Sequence, residues 1–213
     1  MKKLQKTIIQ CQKCPRLVPY LAAVKEKKVR RYQDQEYWGK PVPSFGDPEA
    51  EIMLLGLAPG AHGANRTGRM FTGDKSGEWL YKALFEAGFA NQAKSTALDD
   101  GMVLSNIWIT AAIHCAPPQN KPTKAELLTC FSFLEKEITL LPNLKVIVCL
   151  GKIAFDSCKK LLGFKGETFS HGHQFVFGEY KIICSYHPSQ QNTQTGRLTW
   201  DMWMAIFNVC KKI

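Results

Sequence analysis

The chain has 213 residues, 45% of them hydrophobic and 22% charged, which is enough apolar content for one packed core and too much for a disordered or fibrous protein. Its 28 Lys and Arg outnumber its 18 Asp and Glu, leaving a net charge of +10. That charge favours a polyanionic partner through release of condensed counterions, and serves solubility equally well. No apolar run approaches the ~18 residues of a bilayer span, and the opening stretch MKKLQKTIIQCQKC lacks the apolar segment of a secretion signal. The expectation is a cytoplasmic protein with no membrane association.

In chain order, residues 15–36 carry a helical pattern that runs into the basic stretch KEKKVRR, a solvated face or a phosphate-facing one. PVPSFGDP, with three prolines, reads as an extended approach to the first strand. Four apolar runs without strict alternation read as buried parallel strands: EIMLLGL (51–57), VLSNIWITAAI (103–113), KVIVCLG (145–151) and EYKIICSY (179–186). Between and after them lie helical patterns. SGEWLYKALFEAGF has Ser76 as its expected N-cap, and TKAELLTCFSFLEKEITLL opens with a capping box from Thr123 to Glu126. KIAFDSCKKLLGF and TWDMWMAIFNVCKKI follow, and HQFVFGEYKII reads as a hairpin feeding the last strand. Alternating strand and helix predicts one α/β domain, with the polar loops after the strands gathered at one sheet edge.

Eight cysteines without a secretion signal do not predict disulfides. Cys149 and Cys184 lie in strand-like runs and Cys158 and Cys210 in helical ones, where free cysteine packs as a small hydrophobe. Cys11 and Cys14, in CQKCP, remain with Cys115 and Cys130. An all-thiolate set suits zinc or an iron–sulfur cluster, and spacing does not separate them.

The segment GLAPGAHGANRTGRMFTGDKSG follows the first apolar strand run. It is no phosphate loop, because Lys and Ser or Thr do not directly follow the last glycine of GLAPGAHG, where Ala-Asn-Arg stands instead, and the dinucleotide pattern G-x-G-x-x-G is absent. It does place Phe71 three residues before Asp74, a flat ring beside a carboxylate, which suits a planar heterocycle attacked at its edge. HPSQQN adds an imidazole, His187, at the end of the last strand.

Together CQKCPRL, WGKPVPSFGD, GLAPGAHGANRTGRMFTGD, CAPPQNKPT and HPSQQNTQTGRLT resemble the uracil-DNA glycosylase superfamily, in particular its iron–sulfur family 5, from Cys11 to about Thr199. The resemblance implies a single α/β domain around a central four-stranded parallel sheet flanked by helices, and removal of damaged bases from DNA. It implies a structural [4Fe–4S] cluster on Cys11, Cys14, Cys115 and Cys130, pinning the N-terminal segment to the one after the second strand. The partner is then duplex DNA carrying uracil or another deaminated base, and the enzyme a monomer.

Carried onto this sequence, Phe71 stacks on the extruded base and Asn120 bonds its Watson–Crick edge. His187 donates to the departing base anion, and Asp74 stabilises the sugar cation or orients water. Gly56, Ala58 and Gly60 line the site. Amides near Gly60 and Ser189 meet phosphates, and Gln190, Gln191 and Asn192 hold the duplex open. Arg66, Arg69 and Arg197 are candidates for further phosphate contacts.

Where many superfamily members carry a polar residue, this chain has Leu57 and Ala58 in the first motif, and Ala111 and Ala112 near the end of the second strand. The resemblance therefore implies looser base choice, extending to hypoxanthine, xanthine or 5-substituted uracils. The alternative is a non-catalytic iron–sulfur nucleic-acid-binding protein of the same fold.

Overall fold

The computed structural model describes residues 1–212; Ile213, which closes the last expected helix, lies outside them. The elements run α1 (Lys2–Ile9), α2 (Leu17–Lys27), β1 (Phe45–Gly46), β2 (Ile52–Gly56), α3 (Ala64–Thr67), α4 (Lys75–Glu86), β3 (Ile107–Ala111), α5 (Lys124–Thr139), β4 (Val146–Leu150), α6 (Lys152–Leu162), β5 (Gln174–Phe177), β6 (Tyr180–Ser185), α7 (Gln190–Gln194) and α8 (Trp200–Cys210).

One mixed sheet has the order β1-β3-β2-β4-β6-β5. Its four central strands are parallel and are the four expected ones. The sheet has six strands, because antiparallel β1 and β5 close its two edges. β5 is the first arm of the expected hairpin. β1 is only two residues long, too short for a periodic signal in a proline-rich stretch.

The helix expected over 15–36 stops at Lys27, because Lys28 turns to φ +39 before a short 3-10 turn, Arg30–Tyr32. The strand expected over 103–113 shortens to β3, since Asn106 takes φ +61 and breaks the extended run.

Alternate residues of each central strand enter opposite layers, as a period of two requires. Ile52, Leu54, Ile109, Val148 and Ile183 pack with α4 and α8 through Leu80, Leu84, Trp203 and Phe207. Met53, Leu55, Trp108, Ile147, Cys149 and Cys184 pack with α6 through Phe155 and Cys158. A third cluster joins α1, α2 and α5 around Ile8, Leu17, Leu21, Ile113 and Phe133, and contains Cys14, Cys115 and Cys130. Each fully buried Leu or Ile in these layers contributes about 1.5–3 kcal/mol. Because the central strands are parallel, their carboxyl ends share one edge, and every loop named above leaves from it.

Candidate active site

The loop after β2 is shaped around two side chains. Phe71 holds φ +56, and its ring lies against Gly56, where an added Cβ would stand 3.1 Å from Phe71 Cζ. Asp74 caps α4, its Oδ1 accepting from the Gly77 N–H at 3.1 Å. The N-cap is therefore Asp74 and not Ser76, which falls inside the first helical turn. Gly77 is required on packing grounds as well, since a Cβ there would lie 1.7 Å from the Phe71 carbonyl oxygen. The second carboxylate oxygen of Asp74 faces Gly60 and Gly63, whose Cβ atoms would stand 3.1 and 2.5 Å away. The loop is pinned from outside by Tyr37, whose hydroxyl meets His62 Nδ1 at 3.1 Å, and by Arg66 Nε donating to the His62 carbonyl at 2.9 Å.

A cavity of about 290 Å³ opens between this loop and the ends of β3 and β6. Phe71, Asp74, Asn120, His187 and Ser189 line it together, with Ala58, Gly60 and Ala111 in its walls. Five separate chain segments thus deliver the expected residues to one volume. Gly56 lies behind Phe71 instead of on the cavity wall. Asn120 reaches the cavity at φ +56, directly after Gln119 at φ +55, a left-handed pair in which Asn is tolerated. Met70, which carried no sequence signal distinguishing it from a packing residue, and Ser76, expected only as a helix cap, also line the cavity.

Desolvation raises the Asp74 pKa, opposed by the Gly77 and Ser76 amides. The residue keeps an exposed edge, so protein atoms crowd the carboxylate without drying it, and the rise is smaller than a sealed interior would give. His187 is half-buried, and its crowded surroundings push its pKa down to about 4, so the imidazole is neutral near pH 7. Its ring stacks on Phe71 with centroids 5.6 Å apart and planes 23° from parallel. Ser189 caps α7 by accepting from the Asn192 N–H at 3.3 Å. The Asn192 side-chain amide donates to the His187 carbonyl at 2.8 Å, and Gln190 and Gln191 are exposed on the same short helix.

The three arginines differ. Arg197 is exposed, with its guanidinium 4.5 Å from the Tyr186 ring centre. Arg66 stacks on Tyr32 at 3.9 Å and donates to the Gly73 carbonyl. Arg69 is buried, paired with Asp100 and donating to Ser95 Oγ at 2.8 Å and the Leu98 carbonyl at 2.6 Å. The expected phosphate contact from Arg69 is thereby overturned: the side chain is buried, and its two terminal nitrogens hold the 95–100 loop.

Cys11, Cys14, Cys115 and Cys130 line one recess walled by Leu17, Ile113 and Phe133. Burial, reinforced by the neighbouring thiols, pushes Cys14, Cys115 and Cys130 above the ordinary thiol range. Glu126, on the rim, is already engaged by Arg16 Nε and Nη2 at 2.7 and 2.6 Å and by the capping box. The donors left unengaged in the recess are therefore the four sulfurs and one imidazole nitrogen. The His114 Nδ1 meets the Val42 carbonyl at 2.8 Å, while its Nε2 is buried without a partner at the recess wall.

Residues 43–208 match the family model described as the Uracil DNA glycosylase superfamily. The chain is 47% identical over 210 residues to the type-5 uracil-DNA glycosylase of Thermus thermophilus, covering 97% of this chain and 95% of that protein. It is 45% identical over 192 residues to the type-5 enzyme of Pyrobaculum aerophilum, covering 90% and 84%. With the type-5 enzyme of Mycobacterium bovis it shares 46% over 216 residues, covering 99% and 81%. With the motif loops converging on one cavity and relatives matched along nearly its whole length, this chain is a member of the uracil DNA glycosylase superfamily, on its type-5 branch.

Proposed function

We propose that this protein is a monofunctional DNA glycosylase that flips uracil out of DNA and hydrolyses its N-glycosidic bond. The observation that carries this reading is the single cavity of about 290 Å³ shared by Phe71, Asp74, Asn120 and His187. It joins a stacking ring, a hydrogen-bonding amide, a carboxylate and a neutral imidazole around space for one base.

Extrusion costs a few kcal/mol, least for a mispaired base, which favours deaminated ones. The base enters against Phe71, with Asn120 bonding its Watson–Crick edge. As the C1′–N bond lengthens, positive charge grows on the deoxyribose and negative charge on the base. The neutral His187 donates its N–H to the departing base anion. Ionised Asp74 faces the sugar cation and orients the water that adds to C1′. Water supplies the hydroxyl to the sugar, and its proton balances the base.

Amides near Gly60 and Ser189 serve the flanking phosphates, and Gln191 and Asn192 brace the opened duplex, with Asn192 also fixing the His187 carbonyl. Leu57, Ala58 and Ala111 offer no polar group that selects one base edge, so hypoxanthine and xanthine are substrates beside uracil.

Cys11, Cys14, Cys115 and Cys130 hold a [4Fe–4S] cluster in this reading. Four cysteine sulfurs lining one recess support it, with the nearby carboxylate already engaged. The cluster's role is to join α1, β3 and α5, and no catalytic step passes through it. Eight free cysteines suit the reducing cytoplasm. Among the described residues, no helix is long and apolar enough to cross a membrane.

The test is incubation with labelled duplexes holding one uracil or one hypoxanthine, followed by alkali. Breakage at the modified site only after alkali is expected. Intact strands that still shift on a gel would replace this reading with the non-catalytic nucleic-acid-binding one.

A further inference from the structure

His187 follows the last residue of β6 by two positions, and the direction of its ring depends on the peptide that leads into it. On the far side, the Asn192 amide holds the His187 carbonyl at 2.8 Å. On the near side, the backbone N–H of Tyr186 donates to Nδ1 of His171 at 3.1 Å, and the Ser185 hydroxyl lies 3.3 Å from the same nitrogen. A backbone N–H can only donate, so Nδ1 is an acceptor and His171 carries its proton on Nε2. Desolvation holds the His171 pKa below the ordinary histidine range, which keeps that acceptor free. The imidazole also stacks on Tyr186, centroids 5.1 Å apart and planes 26° from parallel. Backbone bonds from Gly172 N–H to the Cys184 carbonyl and from Cys184 N–H to the His173 carbonyl, at 2.8 and 2.9 Å, fix the turn carrying His171 against β6.

We infer that His171 is a positioning residue for catalysis: by accepting the Tyr186 N–H and stacking on its ring, it sets the peptide that aims His187 at the departing base. The inference rests on the reading of His187 given above. His171 is distinct from the cavity residues, since it does not line that volume. Its ring acts one residue upstream of His187, on a backbone donor that otherwise has no partner at the end of the strand. Misaiming a catalytic group by about 1 Å costs on the order of 10²-fold in rate without loss of ground-state binding.

The experiment compares wild type with His171→Ala, His171→Asn and His187→Ala, each at a temperature where circular dichroism shows it folded. Single-turnover cleavage of a uracil duplex gives the chemical rate, and anisotropy with a duplex carrying uncleavable 2′-fluorodeoxyuridine gives Kd. His171→Ala is expected to slow cleavage by about 10- to 100-fold with Kd nearly unchanged. His171→Asn, whose Oδ1 falls near the place of Nδ1, is expected to recover most of the rate. A His171→Ala enzyme at wild-type rate, an Asn variant as slow as the Ala one, or equal losses in rate and binding would each overturn the inference. If His187→Ala itself cleaves at full rate, the reading of the site fails. A crippled His187→Ala beside a full-rate His171→Ala overturns the positioning role alone.

Discussion

Asp74 and Gly63 are in a contact that admits no side chain at position 63: a Cβ there would stand 2.5 Å from Asp74 Oδ2 and 3.1 Å from its Cγ. The glycines of the first motif therefore shape a cradle for a carboxylate of the protein itself. Replacing Gly63 with Ala is expected to displace Asp74 and slow uracil excision by on the order of 10²-fold. The helix cap is made by the other oxygen, so the melting temperature should move little. A Gly63→Ala enzyme with wild-type single-turnover rate would show that the cradle does not position the carboxylate.

Asp74→Asn separates charge from capping. Asn is as good an N-cap as Asp, so α4 should keep its stability. The rate should drop by about 10²–10⁴-fold, the range of a lost acid–base or charge-stabilising group. In wild type the active form is the ionised carboxylate, and desolvation raises its pKa. Activity must then fall on acidification starting above the ordinary Asp range. A pH–rate profile of kcat/KM checks this, and an acid limb unchanged in Asp74→Asn would assign it elsewhere.

Cys115→Ser removes one donor from the recess shared by α1, β3 and α5. The purified wild-type protein is expected to be brown, and the variant to lose colour and iron and to melt at lower temperature. Iron and sulfide analysis decides the matter: a colourless wild type holding one zinc per chain would reject the cluster.

Glu137 on α5 is fully buried and accepts the Ser44 and Thr110 hydroxyls. Burial pushes its pKa up to about 7. A raised carboxyl pKa means that the fold prefers the protonated form. Its contribution to stability is therefore full below the unfolded value near 4.5 and is lost as pH rises through about 7. Glu137→Gln should flatten the stability curve across that window, measured by urea unfolding at pH 5, 6, 7 and 8. A wild-type curve flat over the same range would show that the carboxyl is not protonated in the fold.

The sequence by itself determined the parallel core and the chemistry of its edge. Four runs of Ile, Val and Leu could only be strands covered on both faces, and the loops after them already named Phe71, Asp74, Asn120 and His187. The Thr123–Glu126 capping box was legible because its bonds are local. Features that depend on neighbours remote in the chain were decided only by tertiary structure. β1 exists because Phe45 and Gly46 find β3, more than 60 residues away. Arg69 left the expected phosphate set because Asp100, 31 residues on, folds back over it. The cap passed from Ser76 to Asp74 because the loop holding Phe71 turns through a positive φ before α4 begins. His171 is one of two histidines in a polar loop until the sheet brings its Nδ1 to the Tyr186 amide. Periodicity and motif spacing record local preference and residue chemistry; which donor meets which acceptor is fixed only when the sheet closes.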